Sequence, residues 1–147
     1  MRVRQYAYFA IRSDTLDAAA IGARLGLAAD EVVVRGARQA APPRPATHAW
    51  ELCCDRAMRI DDQLAELVSR LMPVRAAIIA LAAEGHRGGM NVVRYFDSDD
   101  GEPEHHDDID GSRTLPGQHQ LLGFHLDRTI LAFLVETGAE CGFDEYG

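Results

Sequence analysis

Apolar and polar positions alternate along this chain in two periods, and the changes of period mark its elements. Residues 3–12 (VRQYAYFAIR) are rich in aromatic and β-branched side chains and read as a central strand. In LDAAAIGARLGL the period changes. Leu16, Ala20, Ile21 and Leu25 form a helical stripe that Asp14 or Thr15 can cap and Gly26 can end. EVVVRG (31–36) reads as a short strand, and ARQAAPPRPA as a proline-rich surface connection. THAWELCC (47–54) resumes alternation, with His48, Trp50, Leu52 and Cys54 on one face and Ala49, Glu51 and Cys53 on the other.

The longest helical region, RIDDQLAELVSRLMPVRAAIIALAAEG, carries Leu64, Leu67, Val68 and Leu71 on one stripe, continued by Ala77, Ile78 and Leu81. Pro73 must either kink it or open a second helix, and Gly85 ends it. GGMNVVRYFD (88–97) is a further strand and feeds an acidic segment. HQLLGFHL (119–126) reads as the return strand, Asp127 caps a helix over RTILAFLVET, and Gly138 stops it before a last strand alternating Ala139, Cys141 and Phe143. Strand–helix–strand units therefore stand at both ends, with a proline-interrupted helix between them. That order predicts a single α+β domain over residues 1–147, a mostly antiparallel sheet with helices packed mainly on one face.

Composition agrees with this picture. In 147 residues, 47% are hydrophobic and 26% charged, enough for one core. No apolar run approaches the ~20 residues of a membrane span, and the N-terminal stretch lacks a small-residue cleavage site. With three cysteines and no secretory signal, the expectation is a cytoplasmic protein with reduced thiols and no membrane partner.

Charge narrows the chemistry further. All fifteen basic residues are arginine, which excludes a phosphate loop ending in GK[ST] and a Schiff-base lysine. The net charge is −8, and residues 97–110 alone hold eight acids and no arginine, so the rest of the chain is formally neutral. A neutral body argues against a nucleic-acid partner, which needs a basic stripe.

The segment EPEHHDDIDG (102–111) is the one stretch that looks like chemistry. His105, His106, Asp107 and Asp108 are its candidate metal ligands. Adjacent histidines diverge in a strand and splay by ~100° in a helix, so neither geometry makes the paired ligands of a helical zinc site. DSDDG (97–101) approaches a calcium loop, but its glycine comes one residue early. The simpler reading of residues 98–118 is an acidic hairpin excursion that buries little, and acidic loops can steer basic surfaces.

Other candidates are dispersed. His119 and His125 lie ~20 Å apart at strand rise, too far to share an ion. His48 and Trp50 alternate on one face and would line a pocket if no helix covered them, while Arg35 and Arg38 could clamp an anion. The four serines lie in no GxSxG elbow, and the cysteines have no sequence-local activator. No catalytic residue is assigned and no cofactor is expected, with a divalent metal as the alternative.

Taken in order, FAIRSDTLDAAAIGARLGL, VVVRGAR, THAWELCC, GGMNVVRYFD and LLGFHLDRTILAFLVETGAECGFDEYG resemble the bacterial family catalogued as domain of unknown function 4279. The resemblance implies the same α+β fold and brings no catalytic residue with it. The leading expectation is a non-catalytic binding or protein-interaction module, of inhibitor or immunity type, acting through an exposed sheet face or the acidic loop, with a protein partner or a second copy. The alternatives are a metal-regulated protein using the His/Asp/Glu loop and a small-molecule-binding domain with a pocket near Trp50.

Overall fold

A computed structural model of the chain describes residues 3–38, 44–96 and 123–147. The chain runs β1 (Val3–Ser13), α1 (Ala18–Leu25), β2 (Glu31–Val33), β3 (His48–Cys53), α2 (Ile60–Leu71), a 3-10 turn (Met72–Val74), α3 (Arg75–Ala83), β4 (Arg87–Phe96), α4 (Arg128–Thr137) and β5 (Glu140–Tyr146). The five strands form one sheet in the order β2-β3-β1-β4-β5. Every pairing is antiparallel except β4 with β5, which the α4 crossover makes parallel. This is the expected α+β domain.

Strand alternation divides the sheet into two unlike faces. Phe9, Ile11, Trp50, Leu52, Met90 and Val92 project to one side, where they join the buried residues of all four helices in a single core. Each of the larger of these side chains contributes roughly 1.5–3 kcal/mol on burial. Phe9 meets Phe133 of α4 edge to face, with centroids 5.9 Å apart. Trp50 is fully enclosed and donates from Nε1 to the Leu27 carbonyl at 3.2 Å. Gly22 permits this, because a Cβ there would lie 3.1 Å from that carbonyl and 3.4 Å from Nε1.

Local signals explain most of the boundaries. Asp17, not Asp14 or Thr15, caps α1: its carboxylate accepts from Ala20 N at 2.8 Å. The earlier turn is held instead by Ser13 Oγ, which accepts from Thr15 N and Leu16 N. Gly26 and Gly138 end α1 and α4 in the left-handed conformation, at φ 66° and 65°. Pro73 falls within the 3-10 turn that separates α2 from α3, so the long helical stretch is two helices. Asp127 caps α4 through Ile130 N at 2.8 Å.

The expected return strand over 119–126 is corrected. Residues 123–127 take no strand conformation, and 119–122 lie outside the described residues. The reason is visible at His125, whose backbone N–H is held by the Asp61 carboxylate of α2 at 2.9 Å rather than by a neighbouring strand. Among the described residues, no helix is long and apolar enough to cross a membrane.

Candidate functional site: the open face of the sheet

Among the described residues no helix joins the second face of the sheet, since every helical core residue belongs to the cluster on the first. The residues here are those that alternate with the core: Arg4, Tyr6, Tyr8, Ala10 and Arg12 along β1, Arg87 through Tyr95 along β4, and Glu140 through Tyr146 along β5. Register places them in rows. Arg4 stands opposite Tyr95, and Tyr95 opposite Tyr146; Tyr8 stands opposite Asn91, and Asn91 opposite Gly142. At the far end Arg12 faces Arg87 directly.

One end of the face is a tyrosine and arginine array. Tyr95 and Tyr146 stack at 4.9 Å between centroids, and the Arg4 guanidinium sits 4.4 Å above Tyr95. Tyr6 and Tyr8 are 6.2 Å apart, and Arg56, from the connection after β3, covers Tyr6 at 4.3 Å. These are cation–π distances. Tyr146 is 52% exposed, so the array is open at its β5 edge.

Polar groups on this face are partly withdrawn from water. Burial, with the neighbouring Tyr95, pushes the Tyr6 phenol up to about 12 against the pull of Arg56. Burial also raises Tyr8, although Arg12 beside it opposes the shift, and it raises the Glu51 carboxyl. The Cys53 thiol rises to about 11 through burial and the nearby Glu31, Glu51 and Asp30 carboxylates. A thiol so disposed is a poor nucleophile at neutral pH.

The other end is a recess of about 120 Å³ lined by Arg12, Arg87, Gly89, Asn91, Glu140 and Gly142. The glycines make it. A Cβ on Gly142 would lie 3.0 Å from Asn91 Oδ1, and one on Gly89 would lie 3.9 Å from Arg12 Nη1. Asn91 lines one wall and donates from Nδ2 to the Gly89 carbonyl at 3.1 Å.

The residues singled out from the sequence are scattered. His105, His106, Asp107 and Asp108 lie outside the described residues, as does His119. Among the described residues, no three His, Cys, Asp or Glu side chains converge where a metal could bind. Trp50 is sealed in the core and presents no surface to a ligand, so a pocket beside it loses its wall. His48 shares that strand face, but its Nδ1 accepts from Arg35 N at 3.2 Å. The Arg35 guanidinium donates to the Asp14 carbonyl at 3.0 Å, and Arg38 is exposed. The structure thus brings His48 and Arg35 together and leaves Trp50 behind them. Cys54 packs against the core while Cys53 lies on the open face, the division that alternation predicts.

Reading for motifs passes over the open face, because a sheet surface has no motif. The signal was there in period two: Arg4, Tyr6, Tyr8 and Arg12 fall on every second position or multiple of it. Arg94 is a second omission. It lies on the helix-bearing side with 7% exposure, paired with Glu145 at 3.1 Å, so β4 and β5 share an ion pair in the sheet.

Fold and surface define an α+β domain whose sheet has one helix-covered face and one face that no described helix covers. The chain belongs to a family described as Domain of unknown function (DUF4279), which it matches over residues 3–147. No curated protein and no solved structure matches it.

Proposed function

We propose that this protein is a non-catalytic interaction module, that the tyrosine and arginine array on the open sheet face is its docking surface, and that its partner is a basic protein. The observation that carries this reading is the array itself: four tyrosines on one sheet face that no helix of the described residues covers, two of them already carrying guanidiniums. Tyrosine and arginine are the residues that interface cores and hot spots favour, since they give large contact area at small entropic cost. Tyrosine faces that hold the chain's own arginines suit arginines offered by another protein. The net charge of −8, with eight acids in residues 97–110, draws such a partner from a distance.

Oligo-arginine peptide is the direct probe. Replacing Tyr95 and Tyr146 together with alanine should weaken its binding by about tenfold, in line with one or two lost cation–π contacts. Deleting residues 98–117 should slow association but leave most of the affinity. Full affinity in the tyrosine variant with complete loss in the deletion would place binding on the acidic segment and overturn the proposal.

A further inference from the structure

The recess at the Arg12 end of the open face has a chemistry distinct from the tyrosine array. Arg12 and Arg87 are directly opposed across β1 and β4, an arrangement that like charges disfavour. Neither guanidinium has a carboxylate within ion-pair distance among the described residues; Arg12 makes a long hydrogen bond to Tyr8 Oη at 3.4 Å and attracts the Glu51 carboxylate on the same face only from beyond that distance. Two cations are thus held side by side at the mouth of a concavity. The floor is kept clear by Gly89 and Gly142, and a side chain at Gly142 would displace Asn91.

The opposite wall has the reverse character. Asn91 turns its Nδ2 to the Gly89 carbonyl, which leaves Oδ1 above Gly142 with no protein donor among the described residues. Glu140 lines the same side and is exposed. Donors on β1 and β4 therefore face acceptors on β4 and β5. A plain anion would satisfy the arginines but meet the Glu140 carboxylate, and a plain cation would meet the arginine pair. A molecule with a carboxylate and an ammonium group on adjacent atoms satisfies both walls. At about 120 Å³ the recess is sized for a small molecule rather than for a peptide segment.

We infer that this recess binds a small free α-amino acid, of glycine to alanine size, with its carboxylate on Arg12 and Arg87 and its ammonium group on Asn91 Oδ1 and Glu140. The planar guanidinium fork suits the carboxylate, because two parallel N–H donors meet its two oxygens. The inference goes beyond docking of a protein and does not depend on it, since the Tyr95–Tyr146 stack that carries the docking test lies at the other end of the face, and only Tyr8 reaches toward Arg12.

Calorimetric titration of the full chain with glycine, L-alanine, acetate and methylamine tests it. Glycine and alanine should bind saturably with dissociation constants on the order of 1 mM or tighter, within reach of ligands this small. Acetate and methylamine should bind at least about tenfold more weakly, each lacking one charge-assisted contact. Arg87→Gln, on an exposed side chain whose loss leaves the core untouched, should weaken glycine by about tenfold or more. Gly142→Ala should weaken it as well by forcing Asn91 aside. Acetate binding as tightly as glycine would reduce the recess to an anion site and overturn the inference. So would unchanged affinity in Arg87→Gln, or no heat from glycine at about ten times that dissociation constant. Tyr95→Ala with Tyr146→Ala should leave glycine binding intact, which separates failure here from failure of the docking proposal.

Discussion

At the scale of single residues, the strongest commitments are polar groups inside the core. Gln63 of α2 is fully buried; its Oε1 accepts from Ala7 N at 2.8 Å and its Nε2 donates to the Met58 carbonyl at 2.8 Å. Ala7 lies beyond the end of the β1 pairing with β3, so its N–H has no ladder partner there and the side chain takes that place. Gln63→Ala strands the buried Ala7 N–H and the half-buried Met58 carbonyl and should lower the unfolding free energy by about 2–4 kcal/mol in a denaturant titration. The sequence concealed this residue. In IDDQLAELVSRL a glutamine next to two aspartates reads as part of the polar face, and only the end of the β1–β3 ladder explains its burial.

Tyr6 supplies a second test at this scale. Its folded value of about 12 lies above the ordinary 10, so the folded state holds the phenol proton that the unfolded chain has already released. The contribution of Tyr6 is fully present below pH 10 and is lost as pH climbs from about 10 to about 12. Ultraviolet titration of tyrosinate in the folded protein should show a late component in that window, reduced by one tyrosine in Tyr6→Phe. A single transition near the ordinary value in the native protein would contradict the packing described for Tyr6, Tyr95 and Arg56.

At the scale of elements, capping and period account for most of what the sequence disclosed. Strands β1, β3 and β4 stand where alternation put them, and Gly26, Gly85 and Gly138 end the helical segments as glycine in positive φ should. Pro73 broke the long helix at the place steric exclusion requires. The misplaced strand at 123–126 shows the limit of period: Gly123, Phe124, His125 and Leu126 alternate well, yet the segment is drawn to α2 by Asp61 and to β5 by Phe124 against Phe143, 5.5 Å between centroids. Alternation records which side chains are buried, not which backbone groups are paired. Asp127 permits a simple measurement. Asp127→Ala removes the bond to Ile130 N and should cost about 1 kcal/mol, a fall in Tm of a few degrees.

At the scale of the whole molecule, the sheet is asymmetric in what it leaves exposed. The helix-bearing face was legible because core stripes on five segments pointed to it. The open face was legible only as the other half of the same alternation, and its recess depends on Gly89 and Gly142, which stand opposite Ala10 and Asn91 across three strands. No local pattern records such a row. On the docking account, chelator-stripped protein should melt at the same temperature with or without zinc, manganese or calcium. An ion at ~100 times its dissociation constant that held the fold would add ~2.7 kcal/mol, several degrees in Tm. Such a shift, abolished by replacing His105 and His106, would move the function to the acidic segment.

Docking of a basic partner on the tyrosine array of the open sheet face is the proposal on which the function rests. An amide-resolved NMR titration of the full chain with oligo-arginine tests it most directly. The account predicts saturable shifts at Arg4, Tyr6, Tyr8, Tyr95 and Tyr146, suppressed in the Tyr95→Ala and Tyr146→Ala variant. Shifts confined to residues 97–110, with β1, β4 and β5 unmoved, would contradict it.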